Sequence, residues 1–296
     1  MNDFRQGRQT PPPGEMATGA ESVTAAIAGS TIQFTGGSSG VHERLAALLD
    51  PFLVPAEKQL AAGTVDIAVQ LEAAPDLGGW RVYINHDFLT MAYDSTYLLP
   101  YLEWLAISHA IARSSRTVAF HAAAVARERQ AVILIAASGA GKTTITAGLA
   151  ARGWQPLADD LTVVDVETRA IHPFHRAFHA DTFTRALIGK SLYFETPDPA
   201  LPDYIRPQAW AGGDCAPASV AVIRRDPESP SSIQPITRAQ AAGALFTSAI
   251  QSALPRSRVA RLSADIATQI TSSWELNNSD LTETLDLLEG QLLGSS

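Results

Sequence analysis

A single cysteine, Cys215, stands in the 296 residues, and one thiol cannot close an intrachain disulfide. The chain must hold together by packing alone, which fits a reducing cytoplasm. Long apolar runs are missing too. Nothing near the roughly 18 residues of a membrane-spanning helix occurs, so no such span is expected. Basic charge is scarce, with 22 Lys and Arg against 30 Asp and Glu and a net charge of -8. That balance argues against general nucleic-acid or anionic-membrane binding, which relies on clustered cations. The opening MNDFRQGRQTPPPGEM lacks the apolar core of a signal peptide. The expectation is a cytoplasmic protein with neither nucleic acid nor membrane as partner. What the chain does have is 46% hydrophobic and 18% charged residues, the composition of a globular protein with a sizeable core. Its length allows one large or two modest domains.

Residues 1–21 are polar, carry Pro11, Pro12 and Pro13 in a row, and read as a disordered tail. From Val23 short β-rich runs alternate with turns, and HERLAALLDPFLVPA reads as an amphipathic helix broken at Pro51. The GGSSG at 36–40 has no following lysine and reads as a hairpin or connecting turn. A longer helix is predicted at about 96–113, its apolar face given by Leu99, Trp104, Leu105, Ile107 and Ile111. With a boundary at Ser114–Ser115, residues 22–113 form a small α+β recognition domain and 114–296 a second domain. There VAFHAAAVAR and AVILIAA read as two strands of a hairpin, so the sheet is expected to be mixed. The last third reads as helical, with N-caps at Thr237, Ser263 and Asp280. In its final helix Leu281, Leu285, Leu288 and Leu292 share one face, which reads as packing within the domain.

The informative stretch is AVILIAASGAGKTTITAGLAARGWQPLADDLTVVD, residues 131–165. An apolar strand feeds a loop ending in Gly-Lys-Thr, and a helix follows. A phosphate cradle needs backbone N–H groups turned outward at a helix N-terminus. Ser138, Gly139, Ala140, Gly141, Lys142, Thr143 and Thr144 are the candidate nucleotide contacts. Gly139 and Gly141 supply the unusual dihedrals, Lys142 neutralises phosphate charge, and the Thr143 hydroxyl can ligate Mg²⁺. Ala136 departs from the pattern G-x-x-x-x-G-K-[ST] at its first position, an added methyl that a negative φ accommodates. Gly153 is a ready C-cap. Asp159 and Asp160 are expected at the start of the next strand, where alternation turns their side chains to different sides. One could take a proton from an acceptor hydroxyl while the other serves the metal.

Three segments in order, FHAAAV at 120–125, ASGAGKTTITAGLAARGW at 137–154 and LADDLTVVD at 157–165, resemble the HPr kinase/phosphorylase family. The resemblance is close over roughly 45 residues and looser over 113–250. It implies an α/β fold akin to phosphoenolpyruvate carboxykinase: an HPr kinase-like P-loop domain with a mixed sheet, preceded by a small α+β domain. It implies ATP and Mg²⁺ as cofactors, Lys142 and Thr143 on the phosphates and metal, and Asp159 as base for a serine hydroxyl. His121 would tune that base, and Asp160 would sit on the metal side. The family's Glu-x-Arg-Gly-x-Gly signature is absent. Asp181, in HRAFHADTF, stands at a comparable distance as a metal-side candidate, and Arg225, beside Arg224, as a phosphate-contacting arginine. The chain looks closer to divergent members, some of which resemble kinases that phosphorylate a serine on lasso-peptide precursors.

A peptide or small protein is therefore the expected substrate, and the family's hexamers make a homo-oligomer an expectation of the resemblance only. Two other readings stay open: a small-molecule kinase, and a nucleotide-binding regulatory or chaperone protein with little turnover. His172, His175 and His179 read better as a recognition loop than as a metal site, because Pro173 disrupts helical presentation. Cys215 reads as an incidental thiol, and Trp154 and Trp210 as packing residues.

Overall fold

The computed structural model describes residues 22–55, 65–93, 95–188, 194–199, 201–250 and 252–293. The tail expected at 1–21 lies outside them. The chain divides into two compact units, Met1–Ala110 and Ile111–Ser296. Among the described residues no helix is long and apolar enough to cross a membrane.

The first unit holds β1 (Ser22–Ile27), β2 (Ser30–Gly36), α1 (Ser39–Leu49), β3 (Ile67–Ala74), β4 (Gly79–Ile84), β5 (Asp87–Ala92) and most of α2 (Ser95–Arg113). The strands form one sheet in sequence order, and only β2 and β3 are parallel. Hairpin turns at Ala28–Gly29 and Asn85–His86 have positive φ at both residues, the hand that matches strand twist. The stretch at 36–40 is the turn from β2 into α1. A side chain on Gly36, at φ +72°, would collide with the Leu71 carbonyl. Pro51 falls in a single 3-10 turn that ends α1. On α2 the expected face needs correction: Trp104 is exposed, while Leu98, Leu102 and Ala106 are buried beside Leu99 and Leu105. The apolar stripe is wider than the sequence reading allowed, and the indole lies outside it.

The second unit begins with β6 (Thr117–Phe120), β7 (Ala122–Arg127), β8 (Gln130–Ala136), α3 (Lys142–Ala151), β9 (Gln155–Ala158), β10 (Thr162–Asp165), β11 (Ile171–His172) and β12 (Phe178–His179). It continues with α4 (Thr182–Ile188), β13 (Phe194–Glu195), β14 (Tyr204–Pro207), β15 (Ala216–Arg224), β16 (Ser232–Pro235), α5 (Arg238–Ser248), α6 (Arg256–Gln269), β17 (Ser272–Asn277) and α7 (Leu281–Leu293). The architecture is mixed α/β with several sheets. Its largest sheet runs β16-β17-β15-β8-β7-β9 and is itself mixed, with β8, β15 and β17 mutually parallel.

The uniformly apolar run of β8 is explained by burial on both faces. Ala131, Ile133 and Ile135 pack toward α5 and α6, while Val132, Leu134 and Ala136 pack toward α3 and α7. VAFHAAAVAR is two strands instead of one. The chain breaks at His121, so β6 pairs with β10 in a separate small sheet while β7 joins the large one. The N-cap expected at Ser263 is also corrected: α6 starts at Arg256, and Ser263 is buried mid-helix with its hydroxyl donating to the Val259 carbonyl. Helix α6 ends at Gln269, and the following SSWELN is strand β17, which helical periodicity had hidden. Thr237 does cap α5 in a reciprocal capping box with Gln240, and Asp280 accepts the Glu283 N–H at the start of α7.

Helix α3 is fixed at both ends. Gly153, at φ +91°, terminates it, with the Gly153 N–H on Ala150 and the Trp154 N–H on Leu149. Arg152 pairs with Asp286 and Glu289 of α7, and Trp154 donates to Glu289. Midway, Gly148 lets α7 approach so closely that a Cβ there would lie 2.6 Å from the Leu285 side chain. Leu285→Ala is expected to cost about 2–4 kcal/mol in urea unfolding. Adding Gly148→Ala should recover part of that loss, because its methyl refills the space; an additive or larger loss would show that the two helices do not meet there.

Candidate active site

The strand ends decide where the chemistry collects. Parallel β8, β15 and β17 end together, and the register pairs Ile223 with Ala136 and Asn277 with Arg224. Strand β9 is antiparallel to β7, as β8 is, so β8–α3–β9 is a parallel crossover with β7 between. The carboxyl end of β9 therefore returns beside the loop that leaves β8. Since Ala122 pairs with Ile135, His121 reaches the same crest from the amino end of antiparallel β7. A ligand site at the carboxyl ends of such strands is the general expectation for open α/β sheets.

The residues from Ala137 to Gly141 connect β8 to α3, with Gly139 at φ +78° and Gly141 at φ +97°. Ala136 is the last residue of β8, so its methyl sits on extended backbone and the departure from the pattern causes no strain. A cavity of about 310 Å³ opens over the N-terminus of α3. Its walls carry Ser138, Gly139, Gly141, Lys142, Thr143 and Thr144 from the loop and helix, with His121 and Asp160 beside them. His179, Asp181, Phe183 and Arg225 line it as well. Two expected site residues, Ala140 and Asp159, do not line it. Ala140 is buried with its carbonyl bonded to Asn278, and Asp159 lies beneath Thr143.

Lys142 is only 5% exposed, so its ammonium needs protein acceptors. It lies 3.2 Å from Asp160 Oδ1, 3.1 Å from His121 Nε2 and 3.4 Å from the Ala136 carbonyl. A charged lysine can only donate, so His121 Nε2 carries its lone pair toward Nζ. The two aspartates do not open a strand, as the sequence suggested. They form the bend after β9, and Asp160 adopts a left-handed φ of +61°. Their side chains part because the backbone turns, not because a strand alternates. Asp160 is 38% exposed on the cavity wall, whereas Asp159 is 2% exposed.

Asp159 Oδ2 accepts the Thr143 hydroxyl at 2.9 Å, and its Oδ1 is buried with no hydrogen-bond partner among the described residues. Burial raises its pKa first and the adjacent Asp160 charge adds to the rise. The Thr143 hydrogen bond, Arg176 and Lys142 oppose it, and the result is pushed up to about 7. Asp181 behaves oppositely. Its carboxylate accepts the Thr184 N–H at 2.7 Å, and this bond, with Arg225 nearby, holds it below the usual range. Thr144 and Thr184 join hydroxyls at 2.7 Å, tying α3 to α4.

The three histidines scatter. His172 bonds Asp214 at 2.7 Å, His175 lies against Trp210, and only His179 reaches the cavity. Burial lowers the His175 pKa. Among the described residues no group of three or more His, Cys, Asp or Glu side chains is placed to hold a metal ion. That does not disfavour Mg²⁺, which takes one or two carboxylates and fills its remaining positions with phosphate and water. Thr143 and Asp160 on the cavity wall fit that demand. Arg224 points away into an ion pair with Glu275, leaving Arg225 as the cavity arginine. Asn278 was missed by the sequence reading. Its signal was SSWELNN, a strand pattern ending in an amide at the same crest as Arg225.

No family model matches the chain, and no curated protein matches it. Among solved structures it is similar to the Hpr(Ser) kinase/phosphatase from Coxiella burnetii, at 11% identity and a TM-score of 0.30. The match covers 60% of this chain and 91% of that one. A likeness of that size carries no argument about function.

A folded-state pKa near 7 for Asp159 has a consequence for stability. In the unfolded chain the group ionises near pH 4, so ionisation opposes folding increasingly between about pH 4 and 7 and fully above that. Asp159→Asn should therefore raise the thermal midpoint of the protein alone at pH 8 by about 3–6 °C. The gain should shrink toward zero as pH falls to about 4. Equal midpoints at pH 8 would show that the buried carboxylate carries no such penalty.

Proposed function

We propose that this protein is a phosphotransferase that moves the γ-phosphoryl group of ATP, with Mg²⁺, to a serine hydroxyl of a peptide or small protein. One observation carries the reading: Lys142, Thr143 and Asp160 line a single cavity at the N-terminus of α3, and Asp159 lies directly behind Thr143. The ordered motif resemblance in the sequence supports it and supplies the serine. ATP brings the phosphoryl group and Mg²⁺ the charge neutralisation on it. The chain's own residues do the rest.

Gly139 and Gly141 keep the loop backbone bare beside the cavity, so its N–H groups can cradle phosphate oxygens. Lys142 would exchange Asp160 for phosphate, and Arg225, which also lines the cavity, would add positive charge. Thr143, whose hydroxyl donates to Asp159, and Asp160 would be the residues to hold Mg²⁺, which would supply charge neutralisation on the phosphates. Asp159 takes the acceptor proton, since its affinity for a proton lies in the neutral range and among the described residues Oδ1 has no hydrogen-bond partner. In balance, the serine oxygen gains the phosphoryl group, its proton passes to the carboxylate, and ADP leaves.

A second division of labour is favoured by the cavity wall. Asp160, not Asp159, faces open space, which makes Asp160 the base and leaves Asp159 to hold Thr143. Phosphate transfer from γ-labelled ATP to a peptide panel separates the two. If Asp159 is the base, Asp159→Asn lowers the turnover rate by about 10²–10⁴ with MgATP affinity retained, and Asp160→Asn mainly raises the Mg²⁺ requirement. The opposite pattern assigns the base to Asp160. Binding of nucleotide without label transfer by the wild type to any acceptor would replace the kinase reading with that of a nucleotide-binding protein.

A further inference from the structure

We infer that Asn278 is a positioning residue that holds the loop between β8 and α3 in its nucleotide-ready shape through the carbonyl of Ala140. This rests on the nucleotide reading above and extends it to a residue 138 positions away in sequence.

Asn278 follows the last residue of β17, and its own N–H donates to the Arg224 carbonyl at the end of β15. The backbone is thereby fixed to the crest. The side chain is buried, and its Nδ2 donates to the Ala140 carbonyl at 3.0 Å. A carbonyl can only accept, so the amide must present nitrogen there. At its other end Oδ1 accepts the hydroxyl of Thr284, fully buried in α7, at 3.2 Å. Donor and acceptor ends are thus both engaged, and a flip of the amide would break both bonds.

The effect on the loop follows from peptide planarity. In a trans peptide the C=O of Ala140 and the N–H of Gly141 point in opposite directions. Anchoring the carbonyl on Asn278 therefore fixes which way the Gly141 N–H points. It also keeps a carbonyl oxygen from turning toward an incoming phosphate, which it would repel. Gly141 is fitted to this arrangement, because a Cβ there would lie 2.5 Å from the Asn278 Nδ2. Thr284 is next to Leu285, the residue packed on Gly148, so α7 braces both the loop and the helix behind it.

The test is MgATP binding by the full chain, measured by calorimetry on variants first checked for folding by thermal melts. Asn278→Asp, which places an oxygen against the Ala140 carbonyl, should weaken binding at least 30-fold. At Thr284 packing and hydrogen bonding predict opposite orders. Thr284→Val keeps the shape and loses the hydroxyl, and should weaken binding about 5-fold. Thr284→Ser keeps the hydroxyl and should bind within twofold of wild type. If Val binds like wild type and Ser binds worse, Thr284 only packs and the inference falls, even where Asn278→Asp fails to fold. Lys142→Ala separates the two levels. Lost affinity in Lys142→Ala with unchanged affinity in Asn278→Asp overturns the role of Asn278 alone. Unchanged affinity in Lys142→Ala overturns the nucleotide reading and this inference with it.

Discussion

A buried ammonium must be surrounded by acceptors, and Lys142 imposes that requirement on the carboxyl crest of the large sheet. Its three partners come from three places: the Ala136 carbonyl at the end of β8, His121 at the break before β7, and Asp160 in the bend after β9. Two of the three stand at departures from regular structure. His121 interrupts what would otherwise be one long strand, and Asp160 takes a left-handed φ. At these two positions the backbone leaves the regular ladder beside the cation, as is common at functional sites.

Around that crest the core is conventional. Strand β8 is covered on both faces, so the loop leaves a rigid support, and α3 is fixed by its glycine cap and by α7. The last helix thus does more than close the hydrophobic core. Its Leu285 sits against Gly148, and Asp286 and Glu289 hold Arg152 at the far end of α3. The most distant part of the sequence steadies the segment with the strongest motif.

The strand–loop–helix unit, its glycine cap, the β7–β8 hairpin and the caps of α5 and α7 were legible because each depends on residues a few positions apart. Asp159 and Asp160 were legible as a pair but not as a geometry. Strand alternation was the wrong rule for residues in a bend. The split at His121 was hidden because VAFHAAAVAR is apolar on both sides of it. Strand β17 was hidden because the helical reading was carried through Trp274, although the helix ends at Gln269 and the strand starts at Ser272. Trp104 was misplaced on α2 because an aromatic was counted as core by type.

The sequence by itself determined that a glycine-bearing loop ends in Lys142–Thr143 at a helix start, that two acids follow at once, and that no intrachain disulfide can form. These are statements about neighbours in the chain, where spacing and dihedral preference suffice. Tertiary structure alone decided that Asp159 lies under Thr143 while Asp160 faces the cavity. It also decided that Arg225, not Arg224, reaches that cavity, and that Asn278 touches Ala140. Those depend on which strands lie side by side and in what register. Strand order is fixed by burying both faces of one sheet, a condition on the whole chain that no short stretch of it carries.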